Sequence, residues 1–401
     1  MQYRTNPRNG DQLSVLGYGC MRLGRNEKEA EKLLVSAVEQ GVNYLDTAYF
    51  YAGNEAMLGR ILQRTGLRDR VKLATKMPQY FVKKPADLDR FFNIELEHLQ
   101  TDFVDYYLMH TLNSLDQWQR LVGFGVMEWI AAKKAAGQIK NIGFSFHGSR
   151  EEFRRIVDAY PWEFCMIQYN YLDEYNQAGK DGLLYAADKG MAVMVMEPLR
   201  GGRLAMGLPR EVQDIFSHAW PERNPAEWGL RWVWNHPQVT LALSGMNTSL
   251  VLEENIRVAC DAKPDSLSEE ELALIDRARK IILEKTKVPC TGCGYCMPCP
   301  YGVEIPLCFS CYNETAVKSK FRSQMKYITY VGAHGASRCK QCGKCEEHCP
   351  QSIPIREKLA EAARSLEGFP YKPAQALIGR WLRWEKGQGD QGSERKEEHS
   401  S

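Results

Sequence analysis

The chain has 401 residues, of which 44% are hydrophobic and 25% charged, and its formal net charge is +2. That is ordinary for a globular protein with a sizeable core, and the near balance gives no electrostatic reason to expect nucleic acid or anionic lipid as a partner. The N-terminal MQYRTNPRNG lacks the apolar stretch of a secretory signal. No run approaches the roughly 18 uninterrupted apolar residues of a membrane span, so a cytoplasmic protein without one is expected.

From the N-terminus, short apolar runs alternate with amphipathic stretches. The runs are LSVLGYG (13–19), VNYLD (42–46), VKLAT (71–75), FVDYYLM (103–109), IKNIGFS (139–145), CMIQY (165–169), MAVMVM (191–196) and VTLALS (239–244). Runs this short do not by themselves separate strand from helix, but the segments between them do. EKEAEKLLVSAVEQG (27–41) and DLDRFFNIELEHLQ (87–100) carry apolar residues at helical spacing, and Gly41 marks a helix end. Eight strands, each followed by a helix, give the count of a (β/α)8 barrel. The rival doubly wound sheet needs G-x-G-x-x-G after its first strand. LGYGCMRLG offers Gly17 and Gly19 but has Arg22 where the third glycine belongs.

Residues 261–289 read as one exit helix with a Ser268–Glu271 capping box. A cysteine-rich segment follows. PAQALIGRWLRW (373–384) carries Leu377, Ile378, Trp381 and Leu382 on one side, a face suited to docking on this protein or, as the lesser reading, on a partner or membrane surface. The polar end, EKGQGDQGSERKEEHSS, has a disordered composition. The expected domains are a barrel over 1–265, a linker helix over 266–288, a small, mainly helical ferredoxin-like domain over 289–365 and a terminal segment over 366–401.

In such a barrel, chemistry sits at the C-terminal ends of the strands. There the sequence places Asp46, Lys76, His110, Ser145 with His147, Gln168 with Asn170, and Glu197. Tyrosines 49 and 51 follow Asp46. A lysine kept charged beside an aspartate lowers the pKa of a nearby phenol, and a histidine orients a carbonyl. That set suits carbonyl reduction, in which a hydride arrives and a proton must reach the developing alkoxide.

LDTAYFY, LATKMP, YYLMH, IGFSFHG, IQYNYLD and SGMNTSLVLEEN, in this order, resemble the aldo-keto reductase family across 1–260. The resemblance implies a (β/α)8 barrel that takes NADP(H) or NAD(H) and a small-molecule carbonyl or alcohol. It implies a catalytic set of Asp46, Tyr51, Lys76 and His110, and the five-residue step from Asp46 selects Tyr51 over Tyr49. On the cofactor side it implies Gly19, Cys20, Met21, Ser145, Gln168, Met196, Gly245, Glu254 and Asn255. Phe146 stands where the family's asparagine is usual, and Met196 where a tyrosine often stacks. No basic residue in 245–252 would grip a 2′-phosphate, which leaves NADPH against NADH open. His147, Glu197 and Arg200 are further candidates to touch substrate or cofactor.

Eight of the 13 cysteines fall in two runs. Cys339, Cys342, Cys345 and Cys349 before Pro350 give C-x2-C-x2-C-x3-C-P, the bacterial pattern for [4Fe–4S], in which the fourth cysteine ligates the other cluster of a pair. Cys290, Cys293, Cys296 and Cys299 before Pro300 have a last gap of two residues. They read as a second [4Fe–4S] site ahead of zinc, with Cys308 and Cys311 either substituting as ligands or packing. Cys20, Cys165 and Cys260 are expected free and buried in barrel elements. The segment resembles a dicluster ferredoxin domain, and a barrel with such a tail resembles a subgroup of aldo-keto reductase-like oxidoreductases. Two further readings stay open. In one, the clusters exchange electrons with a redox partner protein; in the other, the barrel is a non-catalytic carrier of a binding module.

Overall fold

A computed structural model describes residues 1–24, 26–317, 319–371 and 373. The amphipathic segment after Pro373 and the polar end lie outside the described residues. The chain divides into two compact units, one of Met1–Gly207 with Glu211–Lys280, the other of Leu208–Arg210 with the chain from Ile281 onward.

The first unit has ten strands: β1 (Tyr3–Thr5), β2 (Gln12–Ser14), β3 (Leu16–Gly19), β4 (Tyr44–Asp46), β5 (Lys72–Met77), β6 (Val104–Met109), β7 (Ile139–Phe146), β8 (Phe164–Gln168), β9 (Ala192–Met196) and β10 (Val239–Ser244). Strands β3 to β10 are parallel and close into one barrel in chain order, with β10 pairing back onto β3. The expected (β/α)8 barrel is therefore the observed one. The first apolar run, read as one strand over 13–19, splits at Val15. Leu13 and Ser14 belong to an antiparallel hairpin, β1–β2. Leu13 enters the barrel's buried core, and Arg4 donates to the carbonyls of Trp234, His236 and Val239, so the hairpin closes the N-terminal end.

Alternation fills the interior. Tyr44, Ala74, Tyr106, Phe164, Met166, Met194 and Leu241 form the buried inner cluster. Gly143 is required there because a Cβ would meet the Phe164 carbonyl at 2.4 Å and its ring at 2.7 Å. Side chains two residues on from inward ones face inward again. Asp46, Lys76, His110, Ser145, Gln168 and Met196 thus reach the C-terminal rim by even steps from 44, 74, 108, 143, 166 and 194.

The helix over Glu27–Glu39 ends as its sequence indicates, with Gly41 at φ 98. The exit helix is shorter than expected. It runs over Glu269–Lys285, and the Ser268–Glu271 box caps it reciprocally at 3.2 and 2.8 Å. Residues 261–268 stay outside it because a cap fixes where a helix begins. No helix among the described residues is long and apolar enough to cross a membrane.

The second unit is helical, with helices over Ile305–Glu314, Lys320–Tyr330 and Ile355–Leu366 around a core that includes Phe309, Tyr327, Ile328, Ile355 and Leu359. The two cysteine runs, 290–299 and 339–349, pack against that core.

Candidate active site and cysteine chambers

At the barrel rim Lys76 lies fully buried, its ammonium nitrogen 2.7 Å from each Asp46 oxygen and 2.6 Å from the Thr47 carbonyl. Burial raises the Asp46 carboxyl above its usual pKa, and the Lys76 charge opposes that. All three donors of the ammonium are engaged, which fixes its position.

Tyr51 hangs over this pair. Its ring centroid is 5.2 Å from Lys76 Nζ and 6.2 Å from the His110 ring, at an interplanar angle of 89°. Tyr49 faces away and packs on Phe91 at 5.3 Å. The geometry therefore separates the two tyrosines as the spacing does. His110 is buried and held neutral. Burial depresses its pKa well below the histidine value, and the neighbouring Lys76 ammonium and the His147 ring lower it further.

The loop carrying Tyr51 is tied down by Asn54, which the sequence reading passed over. Its side chain donates to the Cys20 carbonyl at 2.7 Å and accepts from the Thr47 hydroxyl at 2.7 Å, while its backbone N–H donates to the Tyr51 carbonyl at 2.8 Å. The one available signal was its place next to Gly53, whose left-handed φ of 73 turns the chain into the following helix.

On the opposite arc, Ser145 accepts the Thr111 N–H at 2.8 Å and keeps its own O–H to donate. Gln168 donates to Asp173 at 2.8 Å and accepts from Gln177 at 3.3 Å. Arg200 forms a buried ion pair with Asp173 at 2.8 Å. His147 faces Gln177 at 3.2 Å, and burial pushes its pKa down to about 4. Gln168, Asp173, Arg200, Gln177 and His147 form one polar network, and Glu197 and Arg200 sit at φ 53 and 49 in the loop after β9.

Gly19 and Gly245 lie against each other where β3 and β10 end. Met21 is 40% exposed beside them, and Met196 packs on the inner cluster. Cys20 is buried next to Asp46, with its thiol pKa pushed up by burial and by that neighbour. Asn255 turns inward and donates to Ser244 at 2.8 Å, while Glu254 is half-buried. Of the three barrel cysteines expected to be buried, Cys260 is not. It ends the helix over Ser249–Cys260 on the solvent side, 3.0 Å from the N-terminal amine.

In the second unit the two runs are interleaved. A cavity of about 240 Å³ is lined by Cys339, Cys342 and Cys345 and, from the first run, Cys299 and Cys296. A second, much smaller cavity is lined by Cys290, Cys293, Cys296 and, from the second run, Cys349. Burial, then Cys293, Cys290 and Cys349, push the Cys296 thiol up to about 12. Burial, together with Glu346, Cys339 and Cys299, pushes Cys345 up to about 11. Each run therefore has its fourth cysteine beside the other run's first three. Among the described residues no three Cys, His, Asp or Glu side chains close on one point. The thiols of each set stand around a chamber rather than meeting at one point. Cys308 and Cys311 line neither chamber; they are buried in the helical core, with Cys308 3.5 Å from the Tyr327 hydroxyl.

A closed (β/α)8 barrel with an Asp–Lys–Tyr–His rim, joined to a cysteine-chambered helical unit, defines an oxidoreductase of composite build. The aldo/keto reductase family model matches residues 15–280, and a 4Fe-4S dicluster domain model matches 289–354. The chain belongs to the aldo/keto reductase family. It is similar to aldo-keto reductase yakc [NADP(+)] of Schizosaccharomyces pombe, 26% identical over 51% of this chain and 63% of the relative, just under two thirds of that protein. It is also similar to methylglyoxal reductase YeaE of Escherichia coli, 28% identical over 69% of this chain and 95% of the relative. Among solved structures, the holo form of an aldo-keto reductase from Bacillus halodurans superposes with a TM-score of 0.59 at 25% identity, covering 69% of this chain and 96% of that one. An aldo-keto reductase from Klebsiella pneumoniae in complex with NADPH gives 0.57 at 26%, covering 69% and 95%.

Proposed function

We propose that the barrel reduces a small-molecule carbonyl with NADPH, or oxidises the corresponding alcohol in reverse, and that the second unit holds two [4Fe–4S] clusters. The observation that carries the first part is the Tyr51 ring over a buried Lys76–Asp46 pair beside a neutral histidine. NADPH is preferred over NADH because of the two relatives whose names or titles carry NADP(+) and NADPH.

Bound nicotinamide would supply the hydride. Gly19 and Gly245, which leave the β3–β10 seam free of side chains, would admit its backbone. The N-terminal turn of the helix over Ser249–Cys260 begins at the same rim, and a helix start favours phosphate. Ser145 and Gln168 would meet the carboxamide, Gln168 by exchanging one of its present partners. Cys20, Met21, Met196, Glu254 and Asn255 complete the proposed cofactor side.

This chain's own work is proton delivery and orientation. Tyr51 gives its hydroxyl proton to the substrate oxygen as negative charge develops there. The Lys76 ammonium stabilises the phenolate that remains, and Asp46 holds the ammonium in place. His110, neutral and buried, orients the carbonyl oxygen without adding a competing charge. His147, Glu197 and Arg200 shape the substrate side.

For the clusters, the donor set fits. The larger chamber is lined by five cysteines, of which Cys296 is shared with the smaller, and the smaller by four; apolar side chains add Ile305 and Leu359 to one and Ile305, Phe309 and Ile353 to the other. One cluster would be held by Cys339, Cys342, Cys345 and Cys299, the other by Cys290, Cys293, Cys296 and Cys349. A bound cluster supplies one-electron transfer, whereas a nicotinamide supplies two electrons as hydride. The barrel of 1–265, the joining segment of 266–288 with its helix over Glu269–Lys285, and the cluster domain of 289–365 are the functional parts of this reading. The test is anaerobic purification, metal analysis, and NADPH oxidation with methylglyoxal as the trial aldehyde. Aldehyde-dependent NADPH consumption by iron-loaded protein supports the proposal, and its absence with a panel of aldehydes counts against it.

A further inference from the structure

From Thr315 to Cys345 the sequence has seven Lys or Arg and no Asp or Glu. The end of that segment forms the mouth of the larger cysteine chamber. Lys340, Lys344 and Arg356 line the chamber together with His348 and the 41%-exposed Tyr301, and no carboxylate lines it. Arg338 adjoins the mouth and donates to the Tyr301 carbonyl at 3.0 Å. Arg356 pairs with Glu346 at 2.8 Å, while Glu347 and Glu357 lie outside the lining. Lys340, Lys344 and Arg338 make no ion pair among the described residues, and all three are exposed. Cys342 is exposed in the same mouth, whereas the other three thiols of its set are partly covered.

We propose that this mouth is the docking face for an acidic protein that carries one electron at a time. The inference rests on the cluster assignment above and adds where, and with what kind of partner, that site exchanges electrons. Three unpaired cations around one solvent-facing thiolate create a local positive field, which speeds encounter with an acidic surface and orients it. Tyr301, exposed in the same lining, offers an apolar contact beside them. A nucleic acid would see the same charge but has no use for a redox centre at its middle. The step balances simply: the reduced carrier loses one electron and the oxidised cluster gains it, with no proton moved and no bond made or broken. The reverse direction uses the same contact.

The test uses the full-length protein, iron-loaded and kept anaerobic, with an acidic [2Fe–2S] ferredoxin as probe and a basic cytochrome c as its opposite. Calorimetric Kd is measured across an ionic-strength series for wild type and for the double variant Lys340→Glu/Lys344→Glu. The expected results are ferredoxin binding that weakens about tenfold or more from low to high salt and by a similar factor in the variant, while cytochrome c binding tightens. Iron content and circular dichroism of the variant should match wild type. Should the variant lose iron, Lys340→Gln with Arg338→Gln replaces it, with the same expected direction. Binding indifferent to salt and to charge reversal, with iron retained, overturns the docking face alone and leaves the cations as counter-charge to the cluster. Protein that never takes up iron overturns the cluster assignment and the docking face with it. Self-association through this mouth, seen as salt-dependent dimerisation without ferredoxin binding, also overturns it.

Discussion

Lys76 and Asp46 form a chelated ion pair at the barrel rim, with the ammonium 2.7 Å from both carboxylate oxygens and both side chains nearly inaccessible to water. Breaking a buried pair leaves an uncompensated charge, which typically costs about 3–5 kcal/mol, whereas replacing both partners with apolar groups is often near neutral. Lys76→Met is therefore expected to lower the unfolding midpoint of the barrel markedly. Asp46→Leu/Lys76→Met should regain most of that stability and remain inactive. Urea titrations of the three proteins, read beside aldehyde-dependent NADPH oxidation, check the split.

Asn54 offers a subtler test, because it touches neither the phenol ring nor the ammonium. Asn54→Ala removes the donor to the Cys20 carbonyl and the acceptor for Thr47, leaving buried groups unsatisfied at a cost of about 1–3 kcal/mol. With the Tyr51 loop loosened, kcat should fall about tenfold while the Kd for NADPH stays put, since small misplacements of reacting groups cost rate. A parallel loss of cofactor binding would assign Asn54 to the cofactor site instead.

The crossed cysteine sets make a prediction that no ordering along the chain would make. Cys299→Ser should disturb the cluster of Cys339, Cys342 and Cys345 and leave the one of Cys290, Cys293 and Cys296 intact. Iron per chain would fall from about eight to about four, with one EPR signal lost. Cys308→Ala and Cys311→Ala should keep full iron, because both thiols sit in the helical core away from the chambers.

Buried neutral histidines give the fold a pH dependence of definite sign. His110 and His147 have folded-state pKa values below the ordinary 6.5, that of His147 at about 4. The unfolded chain therefore binds more protons below pH 6.5, so their contribution to stability is present above that pH and is lost as pH falls toward 4. Thermal melts between pH 7 and 5 should show a falling midpoint, and the fall should be shallower in His147→Gln.

Much of this architecture was legible. The eight apolar runs became the eight barrel strands because branched and aromatic residues bounded by Gly, Asp and Lys suit buried parallel strands. The rim residues followed from their place at the C-terminal ends of those runs. The hairpin of β1 and β2 was missed because Leu13 continues the apolar run of β3 without a break in hydrophobicity. What separates them is where Leu13 lands, beneath the barrel core. The Asn54 bond to the Cys20 carbonyl and the Asp173–Arg200 pair were not readable, since each joins segments brought together only by barrel closure. The cysteine exchange was readable in the second run, from its x3-C-P ending, and not in the first, whose last gap is one residue shorter.

One measurement bears most directly on the central claim. Iron-replete wild type and Tyr51→Phe, matched in metal content and circular dichroism, are mixed anaerobically with NADPH and a test aldehyde while absorbance of the nucleotide is followed. The account predicts one NADPH consumed per carbonyl reduced by wild type. It predicts a loss of about 10²–10⁴-fold in the variant, the range expected for removing a positioned general acid. A Tyr51→Phe protein that reduces the aldehyde at the wild-type rate would contradict it.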